Sequence, residues 1–319
     1  MQVIVPIRLD SLMINDLQEE HMKRNIVFLL IACCILTVQI PGVCASNPSP
    51  EQLIAEHVKS IGDPAVISQI KSIVFTGNAT INFIIGALGL PNQRGTFTIV
   101  SQGPQFGILM RFPDTLTYPG EHFAYDGKTV TVANYAVGSK TPIAEFIHRY
   151  NKIMKNGMLG GIISNAWPLL DIKNQKASMK VSKTKLGGAD VYELEYRPKD
   201  YHGDMKIRMY FDQETYRHLC TEYKVQTKND TTLLGAYVRP GDISVSAINS
   251  ETYYTLVESF GDFRKIGDLT VPHNYTLDFS INHIGASVSG GFAARWTMDA
   301  LEIMSNMPDI DQRFFNTEK

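Results

Sequence analysis

The stretch "QFGILMRFP", residues 105–113, sets Phe106, Ile108, Met110 and Phe112 on one side of an extended chain and Leu109 and Arg111 on the other. Successive side chains of a strand point to opposite faces, so such a segment has one face that must be covered. The pattern recurs. "GTFTIVSQ" presents Phe97 and Ile99 together, and "DMKIRMYFD" presents Ile207, Met209 and Phe211 opposite Lys206, Arg208 and Tyr210. Turn signals separate these runs: Asp126-Gly127 inside "EHFAYDGKTVTVANY", Gly187-Gly188, Asp212 to Thr215, and Gly267-Asp268. An Asp-Gly pair between alternating apolar residues is a strong hairpin signal. The chain therefore predicts an antiparallel sheet with one apolar face.

Helices account for less of the chain. Ser49 and Pro50 form a cap and first turn for "EQLIAEHVKSIG", which spaces Leu53, Ile54, His57 and Val58 on one side. A second short helix is predicted over "PAVISQIKSI", and a third over "TPIAEFIHRYNKIMKNG", stopping at Gly157. The next stretch, "GMLGGIISNAWPLL" (157–170), carries no charge. It is too short to span a bilayer, and no Gly-Lys-Ser/Thr follows its glycines to make a phosphate loop. Two readings stand: a buried core helix, or a mobile lid over a cavity whose glycines ease backbone movement and tolerate alanine. "IIGALGLP" (84–91) reads as a hairpin turn, 229–250 as a long polar loop, and the terminus after the last strand as polar.

The first 45 residues read separately. "MKRNIVFLLIACCILTVQIPGVCA" (22–45) has two basic residues, an apolar run from Ile26 to Ile40, and Val43-Cys44-Ala45 before Ser46. That is the layout of a secretory signal. The expected organisation is an upstream extension and signal over 1–45 and a single domain over 46–319, with cleavage before Ser46. The alternative is a membrane-anchored lipoprotein through Cys33, from the loose lipobox Leu30-Ile31-Ala32-Cys33; the apolar run continues past it. Cys220 is the one cysteine beyond the leader, so an exported chain would hold no internal disulfide and would rely on its core.

Formal net charge is −2, with no global basic field to recruit nucleic acid. No Gly-x-Ser-x-Gly or His-Glu-x-x-His occurs, and the histidines at 57, 122, 148, 202, 218, 273 and 283 lack metal-ligand spacing. They read as surface or satisfied polar residues. Glu193 and Glu195 read as cross-strand partners of Lys206 and Arg208, and Cys220 as a small buried hydrophobe. The aromatics of 252–263 read as sheet faces. Neither catalysis nor a metal or cofactor is predicted; the expectation is a binding protein.

The order of these segments resembles a known family. "GTFTIVSQGPQFGILMRFP", the hairpin "FAYDGKTVTVAN", a helical interruption, then "VYELEYRPK" and "DMKIRMYFDQETYRHLCTEYKV" resemble the LolA/LolB-like periplasmic lipoprotein-sorting fold, shared with the lipid-sensing half of RseB-type regulators. The resemblance covers most of residues 52 to 300. It implies an α+β fold: a curved antiparallel sheet, an unclosed β-barrel, with helices covering its concave face. It also implies a monomeric periplasmic carrier that holds lipid or lipoprotein acyl chains in the cavity between and meets inner- or outer-membrane protein partners. The alternative is a non-transporting sensor or scaffold of the envelope. On this reading acyl chains meet Phe97, Ile99, Ile108, Met110, Phe112, Ile207, Met209 and Phe211 from the sheet and Leu159, Ile162, Ile163 and Trp167 from the insertion. Family carriers hold the lid with an arginine directly before a proline; here Arg111 is separated from Pro113 by Phe112.

Overall fold

The computed structural model describes residues 47–86, 92–113, 118–133, 140–199, 205–228, 251–284 and 290–318. The leader over 1–45, the loop over 229–250, His202 and the tip of the "IIGALGLP" turn at 87–91 lie outside them.

The described residues begin with two helices, α1 (Pro50–Ile61) and α2 (Pro64–Gln69). Ser49 and Gln52 form a reciprocal capping box at the start of α1, each side chain accepting the other's backbone N–H at 3.2 and 2.9 Å. α2 is shorter than the predicted run, because the chain extends again at Ser72. Strands follow: β1 (Ser72–Ile85), β2 (Gln93–Gln102), β3 (Gln105–Arg111), β4 (Gly120–Tyr125) and β5 (Val130–Val132). Then comes an insertion with α3 (Pro142–Arg149), the single turn α4 (Lys152–Lys155) and two 3-10 turns, Gly161–Ile163 and Pro168–Asn174. The rest is β6 (Ala177–Leu186), β7 (Ala189–Pro198), β8 (Lys206–Asp212), β9 (His218–Lys228), β10 (Glu251–Ile266), β11 (Leu269–Ile284), β12 (Gly290–Ser305) and a last 3-10 turn, Gln312–Phe315.

All the strands among the described residues form one antiparallel, twelve-stranded sheet in the order β5-β4-β3-β2-β1-β12-β11-β10-β9-β8-β7-β6. It is two meanders joined where β1 pairs with β12, from Ile73 opposite Ser305 to Ile85 opposite Ala293. The sheet curves but does not close, since β5 and β6 stand at opposite edges. This places the insertion. Strands lie ~4.8 Å apart, so the link from β5 to β6 has to traverse roughly 50 Å of sheet. The shorter path is across the concave face.

That face is the apolar one expected. Phe97, Ile99, Ile108, Met110 and Phe112 are buried in one cluster with Ile207, Met209 and Phe211, under Leu53 and Ile54 of α1 and Ile143, Phe146 and Ile147 of α3. The predicted turns at Asp126-Gly127, Gly187-Gly188, Asp212 to Thr215 and Gly267-Asp268 all appear. Arg208 stands between Glu193 at 3.6 Å and Glu222 at 3.7 Å; of the expected cross-strand partners Glu193 and Arg208 pair, whereas among the described residues Glu195 and Lys206 form no ion pair.

Several expectations are corrected. The predicted 141–157 helix stops at Tyr150, resumes for one turn, and ends at Gly157, whose φ is +65°. Residues 157–170 are not a helix: three glycines at positive φ and two 3-10 turns replace it. The C-terminal tail is not merely polar. Phe315 is buried on the convex face with Val74 and Val100, and Phe314 lies so close over Gly107 that a Cβ there would meet its ring at 2.6 Å. Cys220 is buried on the same face beside Val191 and Tyr210.

Candidate functional site

Five buried positions of β10 point inward: the polar Thr252, the apolar Tyr254, Leu256 and Phe260, and the carboxyl of Glu258. Alternation alone dictates this, because 254, 256, 258 and 260 share a parity. A carboxyl group among aromatic rings carries a desolvation cost unless every oxygen is satisfied. Here three donors converge on it. Gly160 N–H and the Tyr275 hydroxyl each lie 2.6 Å from Oε2, and the Tyr223 hydroxyl lies 2.7 Å from Oε1. The same Tyr223 oxygen is 3.0 Å from the carbonyl of Met158. Two positions of the charge-free stretch are thus tied to one buried carboxyl. Burial lifts the Glu258 carboxyl from its ordinary 4.5 to about 7, against the pull of the three hydrogen bonds. Burial, with Glu258 alongside, holds both tyrosines in their neutral form.

A second polar group sits where α3 begins. Thr141, the α3 N-cap, donates to Glu121 Oε2 at 3.0 Å, Tyr118 donates to Glu121 Oε1 at 2.7 Å, and the Trp296 indole donates to Tyr118 at 2.7 Å. Both groups tie the covering segment to the sheet.

Between them the insertion packs through Trp167. Its ring stacks on His218 with centroids 4.9 Å apart and meets His57 edge-on at 5.1 Å. His57 Nδ1 donates to the Tyr216 carbonyl at 2.7 Å, which fixes its tautomer and anchors α1 to the β8–β9 turn. Burial lowers His57 to about 4 and lowers His218 as well, so both rings are neutral near pH 7. The sequence reading of these two as surface or satisfied residues is corrected: both are buried, and His57 Nε2 and His218 Nδ1 have no hydrogen-bond partner.

The predicted contact residues come together, but as packing. Leu159, Ile163 and Trp167 are buried against the strands that carry Phe97, Ile99, Ile108, Met110, Phe112, Ile207, Met209 and Phe211. Ile162 is half-buried and borders a hollow of about 60 Å³ with Ile61, Ile67, Ile73 and Leu170. A larger hollow, about 1230 Å³, lies at the ends of β7 to β10 near Met205, Val225 and Tyr254, and none of the predicted residues lines it. Arg111 is exposed and points to the convex side, opposite Met110 and Phe112, so it cannot touch the insertion. The residue before Pro113 is in fact Phe112, which takes the inward position.

The glycines are corrected too. A Cβ on Gly160 would lie 2.4 Å from Phe106 Cζ, and one on Gly161 would lie 2.8 Å from Phe260 Cζ and 3.1 Å from His218 Nδ1. Gly160 and Gly161 have φ of +87° and +47°. They are required by conformation and close approach, not by a need to move. The signal for Glu258 was present in "TYYTLVESF", a carboxylate in phase with apolar residues; its partner, Gly160, could not be read from the chain.

Among the described residues no three His, Cys, Asp or Glu are grouped to hold a metal, and no helix is long and apolar enough to cross a membrane.

No protein-family model matches the chain, and no curated protein sequence does. Among solved structures, a chain of the Pseudomonas aeruginosa MucA/MucB complex is 9% identical, with 80% of this chain and 99% of that chain covered at a TM-score of 0.21. A structure of MucB in complex with MucA(peri) is 9% identical, with 80% and 98% covered at a TM-score of 0.19. Superpositions this loose carry no argument, and the fold class stands on the strand order and the covered face.

Proposed function

We propose that this chain is a non-catalytic envelope protein of the LolA/LolB kind, one that takes up lipid or lipoprotein acyl chains on the concave face of its sheet by exchanging them for the insertion. One observation carries the reading. The apolar concave face is covered by the short helices α1 and α3 together with a crossing segment, residues 157–170, that is built of loop and 3-10 turns, and not by a second sheet. A segment without a continuous internal hydrogen-bond ladder owes its place to side-chain contacts and a few polar anchors. An acyl chain offers the same apolar contacts. The signal-like segment at 22–45 supports an export route to the periplasm.

Native mass spectrometry of the protein purified from its own envelope tests this, together with titration of a fluorescent fatty-acid probe. Co-purified lipid and saturable probe binding are the expected results. Folded protein that carries no lipid and binds no probe would sink the reading.

The filled interior favours a second reading. A face already occupied by Leu159 and Trp167 opens only when the insertion moves, which suits a sensor or scaffold whose grip on a protein partner changes on loading. Lipid that transfers to an acceptor membrane speaks for the carrier. Lipid that stays bound while partner affinity changes speaks for the sensor.

A further inference from the structure

The Tyr223 hydroxyl faces two acceptors, Glu258 Oε1 at 2.7 Å and Met158 O at 3.0 Å, and has one hydrogen to give. The count closes in one way when Glu258 is protonated. Its Oε1–H donates to the Tyr223 oxygen, and the Tyr223 O–H donates to Met158 O. Oε2 accepts from Gly160 N–H and from the Tyr275 O–H, both at 2.6 Å. Every donor then has an acceptor, and both Met158 and Gly160 are held. When Glu258 gives its proton to water, Tyr223 has to turn its hydrogen to the carboxylate. Met158 O is left with the longer 3.3 Å bond from Gly161 N–H, and the carboxylate, although it accepts from Gly160 N–H and both tyrosine hydroxyls, carries its charge in a dry shell that includes Leu256, Phe260 and Leu277.

From this geometry we propose that Glu258, acting through Tyr223, is a proton-operated latch that holds residues 157–170 on the concave face when protonated and releases them when ionised. The inference rests on the exchange of the insertion proposed above and names what governs it.

Among the described residues no other ionisable group offers Glu258 a compensating charge. From β9 it faces Tyr223, with His218 and Cys220 further off; from β11 it faces Tyr275. The insertion brings only the Gly160 N–H and, over 157–170, no charged side chain. His57 of α1 lies on the far side of His218, ring centroids 6.1 Å apart, and burial keeps both neutral. The direction follows from linkage. The covered site binds the proton more tightly than a site reached by water, so loss of the proton favours the uncovered state. With the carboxyl lifted to about 7, the change falls in the neutral range.

The test is hydrogen exchange on the full chain without lipid, corrected for the intrinsic pH dependence of exchange, at about pH 5.5 and about pH 8.5. That window lies above the acid range in which His57 takes a proton. Protection across 157–170 should drop about tenfold at the higher pH while β1 and β12 keep theirs. Glu258→Gln, whose amide can accept from Gly160 and donate to Tyr223, should hold the segment equally at both. Protection that is constant in the wild type, or a drop that persists in Glu258→Gln, overturns the proposal. Should Glu258→Gln not fold, Tyr223→Phe decides: loss of the relay should bring the low-pH protection down to the high-pH level, and a pH step like the wild type's would overturn the latch. Since no lipid is present, a failed latch leaves the acyl-binding reading intact, and a failed probe titration leaves the latch result standing.

Discussion

The indole of Trp167 lies 24° from coplanar with the imidazole of His218, centroids 4.9 Å apart, although one comes from the crossing segment and the other from the start of β9. Burial holds His218 in its neutral form, so two uncharged rings meet here. The stack joins the insertion to the sheet and, through His57, to α1. Trp167 is 1% exposed, so Trp167→Ala should cost about 3–5 kcal/mol in urea unfolding. A cost under about 1 kcal/mol would mean that the segment contributes little to the folded state.

Alanine at Gly160 or Gly161 should destabilise, the reverse of what a flexible lid implies. Positive φ alone costs about 1 kcal/mol, and the contacts with Phe106 and Phe260 add to it, for roughly 2–4 kcal/mol in all. Gly188→Ala is the control: φ is +92° there but a Cβ would meet nothing within 4 Å, so only the backbone cost of about 1 kcal/mol should appear. Equal melting shifts at Gly160 and Gly188 would contradict the packing account.

Stability should respond to pH with two opposing slopes. Glu258 is raised from 4.5 to about 7, so its contribution is fully present below about 4.5 and is lost as pH rises to about 7. His57 is lowered from 6.5 to about 4, so its contribution is present above about 6.5 and is lost as pH falls through about 4. Urea titrations across this range should show the wild type gaining up to roughly 3 kcal/mol on Glu258→Gln from the alkaline to the acid end. A His57→Asn variant should lose less stability than the wild type at the acid end. Parallel curves for all three proteins would rule out these groups as the source.

Tyr118 takes a hydrogen from Trp296 and gives one to Glu121. Tyr118→Phe strands a buried donor and removes a donor from a buried carboxylate, so a loss above about 2 kcal/mol is expected in chemical unfolding. A loss inside the scatter of surface substitutions would show that the link is dispensable.

Arg111→Ala should change stability by less than about 0.5 kcal/mol and leave acyl-probe affinity unchanged, because the side chain is exposed on the convex face. A tenfold change in probe affinity would restore a role in holding the insertion.

Much of the fold could be read from residues in order. The alternation of Phe106, Ile108, Met110 and Phe112 sets which side of β3 is covered, and Asp126-Gly127, Gly187-Gly188 and Gly267-Asp268 mark turns, because strand period and turn geometry are local properties of the backbone. The cap at Ser49 and the start of α3 at Thr141 and Pro142 are local too. Tertiary structure decided the rest. That β5 and β6 end on opposite edges, and so send residues 157–170 across the concave face, depends on β1 pairing with β12, a contact between the two ends of the described chain. The partner of Glu258 is a backbone N–H 98 positions away, and a backbone amide looks the same at every residue. Gly160 and Gly161 read as freedom in the sequence and proved to be fit, since whether a glycine is needed for motion or for close approach depends on what stands 2 to 3 Å beyond its missing Cβ.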